Sequence, residues 1–292
     1  HEQRFGKAPS GLWPAEGALS APFLNQIADA GFHWTASSQG VLKHSAGNQA
    51  PTTIPWQAPE GTPGDITLFF RNEHLSDLIG FEYANWHGRD AAQHFMTELK
   101  AIHIRDNDAL IPVFLDGENA WEYYPYNAWY FFSDLYGTLE KNTAIRTVTL
   151  SEAANVHRTR RIRLPRLTAG SWVFGTLSTW LGNPDKNRAW DLLCDVKQCA
   201  DRALQGNRLT ADERSAVVQR LAVCESSDWF WWFGDYNPAQ SVSDFERLFR
   251  VHLSNLYQLL GVEPPAYLSE SFTHGNGTPE RDGVMRTGSE PT

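Results

Sequence analysis

The first half of the chain alternates short apolar runs with amphipathic stretches of helical period; the second half carries helical periodicity almost throughout. Residues 20–30 read as a helix, with Ser20 as N-cap and Gly31 as its stop. Residues 32–37, 66–71 and 111–115 read as strands, and 146–150 as one more. Between them, residues 91–104 and 129–139 read as helices, and 74–80 as a polar segment at a strand end. Residues 43–65 are rich in Pro, Gly, Thr and Gln and read as a surface loop. Strand then helix, repeated about four times, predicts an α/β fold with a parallel sheet. Four strands are too few to close a barrel, so the expectation is that further strands precede His1 and that the sequence begins inside a longer protein.

After residue 160 the pattern turns helical: 187–204, 210–222 and 244–260 carry the 3.6-residue period. Thr210-Ala211-Asp212-Glu213 is a capping box. Residues 269–292 are rich in Gly, Ser, Thr, Pro and Glu and read as a linker or disordered tail. The expected organisation is therefore 1–160, 161–268 and 269–292.

Composition narrows the function. The net charge of −9 argues against nucleic acid or an anionic membrane as main partner. No stretch is apolar over a membrane's thickness. The three cysteines, Cys194, Cys199 and Cys224, form neither a disulfide framework nor a zinc-binding pair, which points to a reducing, cytoplasmic setting. No His, Cys or carboxylate spacing recommends a metal, and no cofactor is implied. Twelve Trp and nine Tyr are more than core filling needs. Flat indole and phenol faces suit the C–H faces of sugar rings; a well-packed large core is the competing explanation.

The candidate chemistry lies in four clusters. Leu115-Asp116-Gly117-Glu118-Asn119-Ala120-Trp121-Glu122 follows an apolar run of strand length, and carboxylates at the C-terminal end of a barrel strand sit where catalytic groups are presented. The other reading of Asp116 is an Asx turn. Glu16 stands in Gly11-Leu12-Trp13-Pro14-Ala15-Glu16-Gly17, either as a nucleophile on a tight turn or as a charge serving the helix after Ser20. His74 and Asp77 either bond sugar hydroxyls or satisfy each other on one helical turn. Asp228, Trp229 and Trp231, within an aromatic run to Phe233, and the pair Trp172 and Trp180 read as sugar-stacking walls or as packing hubs. Two acids on separate segments, each beside a Trp, point to glycosidic bond chemistry.

In this order the clusters resemble glycoside hydrolase family 57, which contains α-amylases, amylopullulanases, branching enzymes and 4-α-glucanotransferases. Gly11-Leu12-Trp13-Pro14-Ala15-Glu16 looks like the family's third signature, 115–119 like its fourth, and Glu225-Ser226-Ser227-Asp228-Trp229-Phe230-Trp231-Trp232 like its fifth. The first two signatures have no counterpart here. Ser37-Ser38-Gln39-Gly40 stands where relatives often carry acids.

The resemblance implies a partial (β/α)7 barrel followed by an all-α C-terminal domain that closes over the active site. It implies a retaining mechanism on α-glucans or maltooligosaccharides, with Glu16 as nucleophile and Asp116 as general acid/base. Substrate would be held by Trp13, His74, Asp77, Glu118, Trp121, Trp172, Trp180, Asp228, Trp229 and Trp231, without metal or cofactor. The alternatives are a transferase, a non-catalytic carbohydrate-binding fragment, or a zinc-dependent α-mannosidase-like enzyme.

Overall fold

The computed structural model describes residues 1–62, 65–117, 120–273 and 275. The described chain divides into two compact units, one from His1 to Leu177 and one from Ser178 onward.

In the first unit the elements run α1 (Glu2–Phe5), β1 (Gly11–Leu12), α2 (Ala21–Asp29), β2 (Trp34–Ser38), α3 (Gln39–Ala46), β3 (Trp56–Gln57), β4 (Thr67–Arg71), α4 (Glu73–Asp77), α5 (Gly88–Arg105), α6 (Trp129–Lys141), α7 (Leu150–Val156) and β5 (Ile162–Arg163). Five strands form one sheet in the order β1-β2-β4-β3-β5. β1, β2 and β4 are parallel, in register Gly11↔Trp34 and Trp34↔Thr67, so their C-terminal ends Leu12, Ser38 and Arg71 open on one rim. Every residue of β4 is buried, as expected of a strand covered on both faces. Its alternation serves two cores: Leu68 and Phe70 join Leu24, Ile27, Val41 and Leu164, whereas Phe69 turns to Ala36, Leu110 and Ala153. A third core lies between α5 and α6, around Tyr83, Phe95, Phe131 and Leu135. The two helices meet closely because Gly88 has no side chain; a Cβ there would stand 2.9 Å from the Phe131 nitrogen.

The second unit holds α8 (Pro184–Gln205), α9 (Ala211–Cys224), α10 (Ser227–Trp232) and α11 (Ala239–Leu259). Helix α8 starts with Asn183 capping the Asp185 N–H and Pro184 in the first turn. Both halves of the Thr210/Glu213 capping box form on α9. Lys186 is fully buried, its ammonium donating to the Thr179 and Phe230 carbonyls and the Tyr236 hydroxyl at 2.5–2.6 Å. These bonds tie the start of α8 to the segment before it, to α10 and to the turn after α10.

Several expectations change. Residues 111–115 are in no strand and form no ladder. Pro112 has no N–H, and Phe114 gives its own to the Ser76 hydroxyl at 3.3 Å. One ladder-like bond remains, from the Asn72 N–H to the Pro112 carbonyl at 2.8 Å. Residues 146–150 are not a strand: Thr149 and Glu152 form a capping box that opens α7. The expected loop 43–65 contains the last turn of α3 and strand β3, antiparallel to β4. Residues 161–177 pack with the sheet rather than with the helices, through β5 against β3 and the Leu19↔Gly170 bridge. Most of the 269–292 tail lies outside the described residues.

Candidate active site

The rim above β1, β2 and β4 gathers the candidate chemistry. After β1 the chain makes a one-turn 3-10 helix, Ala15–Gly17, in which Glu16 takes the left-handed conformation, φ 59° and ψ 16°. That costs a non-glycine residue about 1–2 kcal/mol. The turn is held from two sides. The Trp172 backbone N–H donates to the Glu16 carbonyl at 2.9 Å, and the Ser37 hydroxyl to the Gly17 carbonyl at 2.6 Å. The side chain is aimed as well: the Trp172 indole N–H donates to Glu16 Oε2 at 2.8 Å. A charge-assisted bond of this kind fixes one carboxylate oxygen. Glu16 remains partly solvent-accessible.

Trp172 is itself seated. Ser38, the last residue of β2, donates its hydroxyl to the Ser171 carbonyl at 2.8 Å. The Gly170–Gly175 turn lies on the start of α3 with backbone against backbone. A Cβ on Gly40 would come within 2.8 Å of the Gly175 Cα, and one on Gly175, at φ 69°, within 2.7 Å of the Gly40 carbonyl carbon. Trp13 stands edge-on to Trp172, centroids 5.3 Å apart, and stacks on Phe114 at 4.9 Å and 18°. Phe114 is two residues before Asp116, and Trp13 three before Glu16. The ring stack therefore brings together the segments that carry the two acids.

Arg71, at the end of β4 and 4% exposed, links the same parts. Its guanidinium lies 5.3 Å from the Trp172 ring centroid, its Nε donates to the Phe114 carbonyl at 3.0 Å, and its Nη2 pairs with Asp77 at 2.8 Å. Beside it, Glu73 accepts the Gly40 N–H at 2.8 Å. Burial pushes the Glu73 carboxyl above its ordinary value, against the pull of that Gly40 bond.

Other predicted residues fall elsewhere. His74 and Asp77 do not satisfy each other: His74 bonds Glu98 on α5 at 3.0 Å, and Asp77 serves Arg71. Trp121 packs against Tyr124 and Phe132 at the α5–α6 core. Glu118 lies outside the described residues.

In the second unit, Trp229 is a core residue rather than an open platform. It is 8% exposed, its indole N–H donates to the Val223 carbonyl at 2.8 Å, and its ring meets Phe245, Phe249 and His252. Trp231 is also buried, edge-on to Trp232. Trp180 is buried, and its carbonyl accepts the Trp190 indole N–H at 2.9 Å. Asp228 is exposed at the start of α10 and accepts the Ser226 hydroxyl at 3.3 Å. Trp229, Phe230, Trp231 and Phe233 are all buried, so packing on several sides of α10 accounts for most of this aromatic run.

Sequence reasoning passed over Arg71 and the bracing role of Ser37 and Ser38. An arginine closing the apolar run Thr67-Leu68-Phe69-Phe70 was the available signal, since a buried cation needs partners. Among the described residues no group of three or more His, Cys, Asp or Glu could hold a metal ion, and no helix is long and apolar enough to cross a membrane.

Solved structures share this architecture. A branching enzyme of glycoside hydrolase family 57 from Thermococcus kodakaraensis superposes with a TM-score of 0.70 at 15% identity, covering 88% of this chain and 60% of that one. The corresponding enzyme of Pyrococcus horikoshii gives 0.65 at 16% identity, covering 92% and 64%. An α-amylase of Thermotoga maritima gives 0.66 at 14% identity, covering 89% and 60%. The chain thus spans about three fifths of the length of these relatives. No curated protein matches the sequence. The parallel-rich sheet and its helices are a partial (β/α)7 barrel, followed in the chain by all-α structure. The model of glycosyl hydrolase family 57 matches residues 1–166, more than half of the chain, and the chain belongs to that family.

Proposed function

We propose that this chain carries the catalytic pair of a retaining enzyme acting on α-glucans. Glu16 attacks the anomeric carbon and forms a glycosyl-enzyme, while Asp116 protonates the departing oxygen. Asp116 then takes the proton from the incoming acceptor, water in hydrolysis or a sugar hydroxyl in transfer. The observation that carries this reading is the Trp13–Phe114 stack at 4.9 Å, which holds the two acid-bearing segments side by side. The Trp172 indole supports it by bonding Glu16 Oε2 and so fixing the orientation of the carboxylate. Retention requires the two carboxyl groups about 5–5.5 Å apart when substrate is bound. Three free thiols fit a reducing, cytoplasmic setting.

The test is product analysis with maltoheptaose, comparing the parent chain with Glu16→Gln. Shorter sugars from the parent alone support the assignment, and longer ones in addition identify transfer. Equal turnover by Glu16→Gln removes Glu16 as nucleophile. Inverted anomeric configuration in the first product removes the retaining mechanism.

A further inference from the structure

One end of the α5–α6 pair exposes an unusual group of rings. Trp86 is 41% exposed, Tyr126 76%, Trp129 69% and Tyr130 58%. Tyr126 and Tyr130 meet edge to face at 5.3 Å. Trp86 stands two residues before Gly88, whose missing side chain lets the start of α5 lie against the Tyr130–Phe131 backbone. Trp86 also leans on Tyr83, and Tyr83 on Phe131, so the group is continuous with the core beneath it. Among the described residues, none of these rings is one of the partners given above for Glu16, Trp172 and Trp13.

Two features separate this group from ordinary exposed hydrophobics. Tyr126, Asn127 and Ala128 are all left-handed, φ 54°, 51° and 63°. Three consecutive non-glycine residues in that region are costly, and the turn they make leaves the Tyr126 and Trp129 rings facing solvent. The second feature is chemical. From Ala120 to Ser133 the only charged residue is Glu122, in a chain of net charge −9. The rings are flanked by the exposed amides of Asn85 and Asn127, and on the Trp86 side also by the exposed His87, Arg89 and Asp90. Broad rings with hydroxyl and amide neighbours complement a polyhydroxylated ligand with flat C–H faces.

We propose that Trp86, Tyr126, Trp129 and Tyr130 form a carbohydrate-binding shelf that holds a neutral α-glucan chain away from the catalytic pair. The choice of α-glucan rests on the function proposed above; the presence of a sugar-binding shelf does not. Its use would be to keep a long polymer on the enzyme between turnovers, by a second point of attachment.

The test uses the whole chain in two assays: native electrophoresis through gels containing amylose, a long chain, and turnover of maltoheptaose, a short one. The variants are Tyr126→Ala/Trp129→Ala and, as a ring-preserving control, Trp129→Tyr. Retardation of the parent, its weakening at least fivefold in the double variant, and its retention in Trp129→Tyr are expected, with maltoheptaose turnover within twofold throughout. Thermal melting of each variant checks the fold.

Turnover without retardation of the parent sinks the shelf and leaves the catalytic reading intact. Retardation without turnover does the reverse. Absence of both removes both. Retardation and maltoheptaose turnover falling together would place the rings in the catalytic cleft, and a dimer in sedimentation that the double variant dissociates would make the surface a self-association face; either overturns the proposal.

Discussion

Two tryptophans that both read as possible sugar-stacking walls have different employments. Trp172 and Trp229 each donate the indole N–H at 2.8 Å. Trp172 gives it to a side-chain carboxylate, Glu16, on a partly open rim. Trp229 gives it to a backbone carbonyl, Val223, among packed rings. An aromatic-rich segment therefore does not by itself mark a binding site; the acceptor of its polar atom and the covering of its face decide. In one unit the indole orients a group that can react, and in the other it closes a core.

The largest effect that would test this contrast is on Glu16. Glu16→Gln should lower kcat/KM on maltoheptaose by about 10³-fold or more, with the fold kept. A loss of less than tenfold would make the Trp172 bond merely structural.

Trp229→Ala should act on stability instead. Emptying a packed indole site costs about 3–5 kcal/mol, read as a fall in the melting temperature of the helical unit. A variant that melts like the parent but loses substrate would restore Trp229 to a binding role.

Trp172→Phe keeps the ring and removes the donor to a charged acceptor. It should cost about 1.5–3 kcal/mol in transition-state stabilisation, roughly 10- to 100-fold in kcat/KM, with little change in melting. An equal loss in both measurements would erase the distinction between the two tryptophans.

The smallest effect concerns Glu73. Its carboxyl is raised by burial above the ordinary 4.5, so the native state holds the proton more tightly than the unfolded chain. That contribution is fully present below pH 4.5 and is lost as pH rises through the folded value. Glu73→Gln keeps an acceptor for the Gly40 N–H. It should flatten the dependence of melting temperature on pH above 4.5 and leave the protein equal or slightly more stable at pH 7. An unchanged slope would assign it to other groups.

Local signals made the helices legible. The Thr210/Glu213 box and the apolar stripe of α8 act within a few residues, whereas the Asn183-Pro184 start, ahead of the expected 187, was passed over. The same rule, applied to Thr149-Leu150-Ser151-Glu152, would have turned the expected strand at 146–150 into the start of α7. Residues 111–115 misled because an apolar run reveals burial but not the ladder, and Pro112 was the warning within it.

Glu16 and Trp172 were both readable as candidates, yet their bond joins positions 156 residues apart, and Ser38 reaches Ser171 across 133. Such contacts are set by how β1, β2 and the 170–175 turn come together, which no local pattern encodes. Arg71 belongs to the same class: its worth lies in joining Trp172, Phe114 and Asp77 at once.

The facing glycines 40 and 175 limit how this rim can be rebuilt. Exchanging the turn that bears Trp172 would change the surroundings of Glu16. Any donor loop must bring a glycine to position 175 and meet one at position 40, because each backbone occupies the space a methyl group would need. A loop library should hold both glycines and Trp172 fixed and vary Val173 and Phe174. A screen that randomises either glycine will spend most of its members on chains whose turn has lifted off α3, taking the indole away from Glu16.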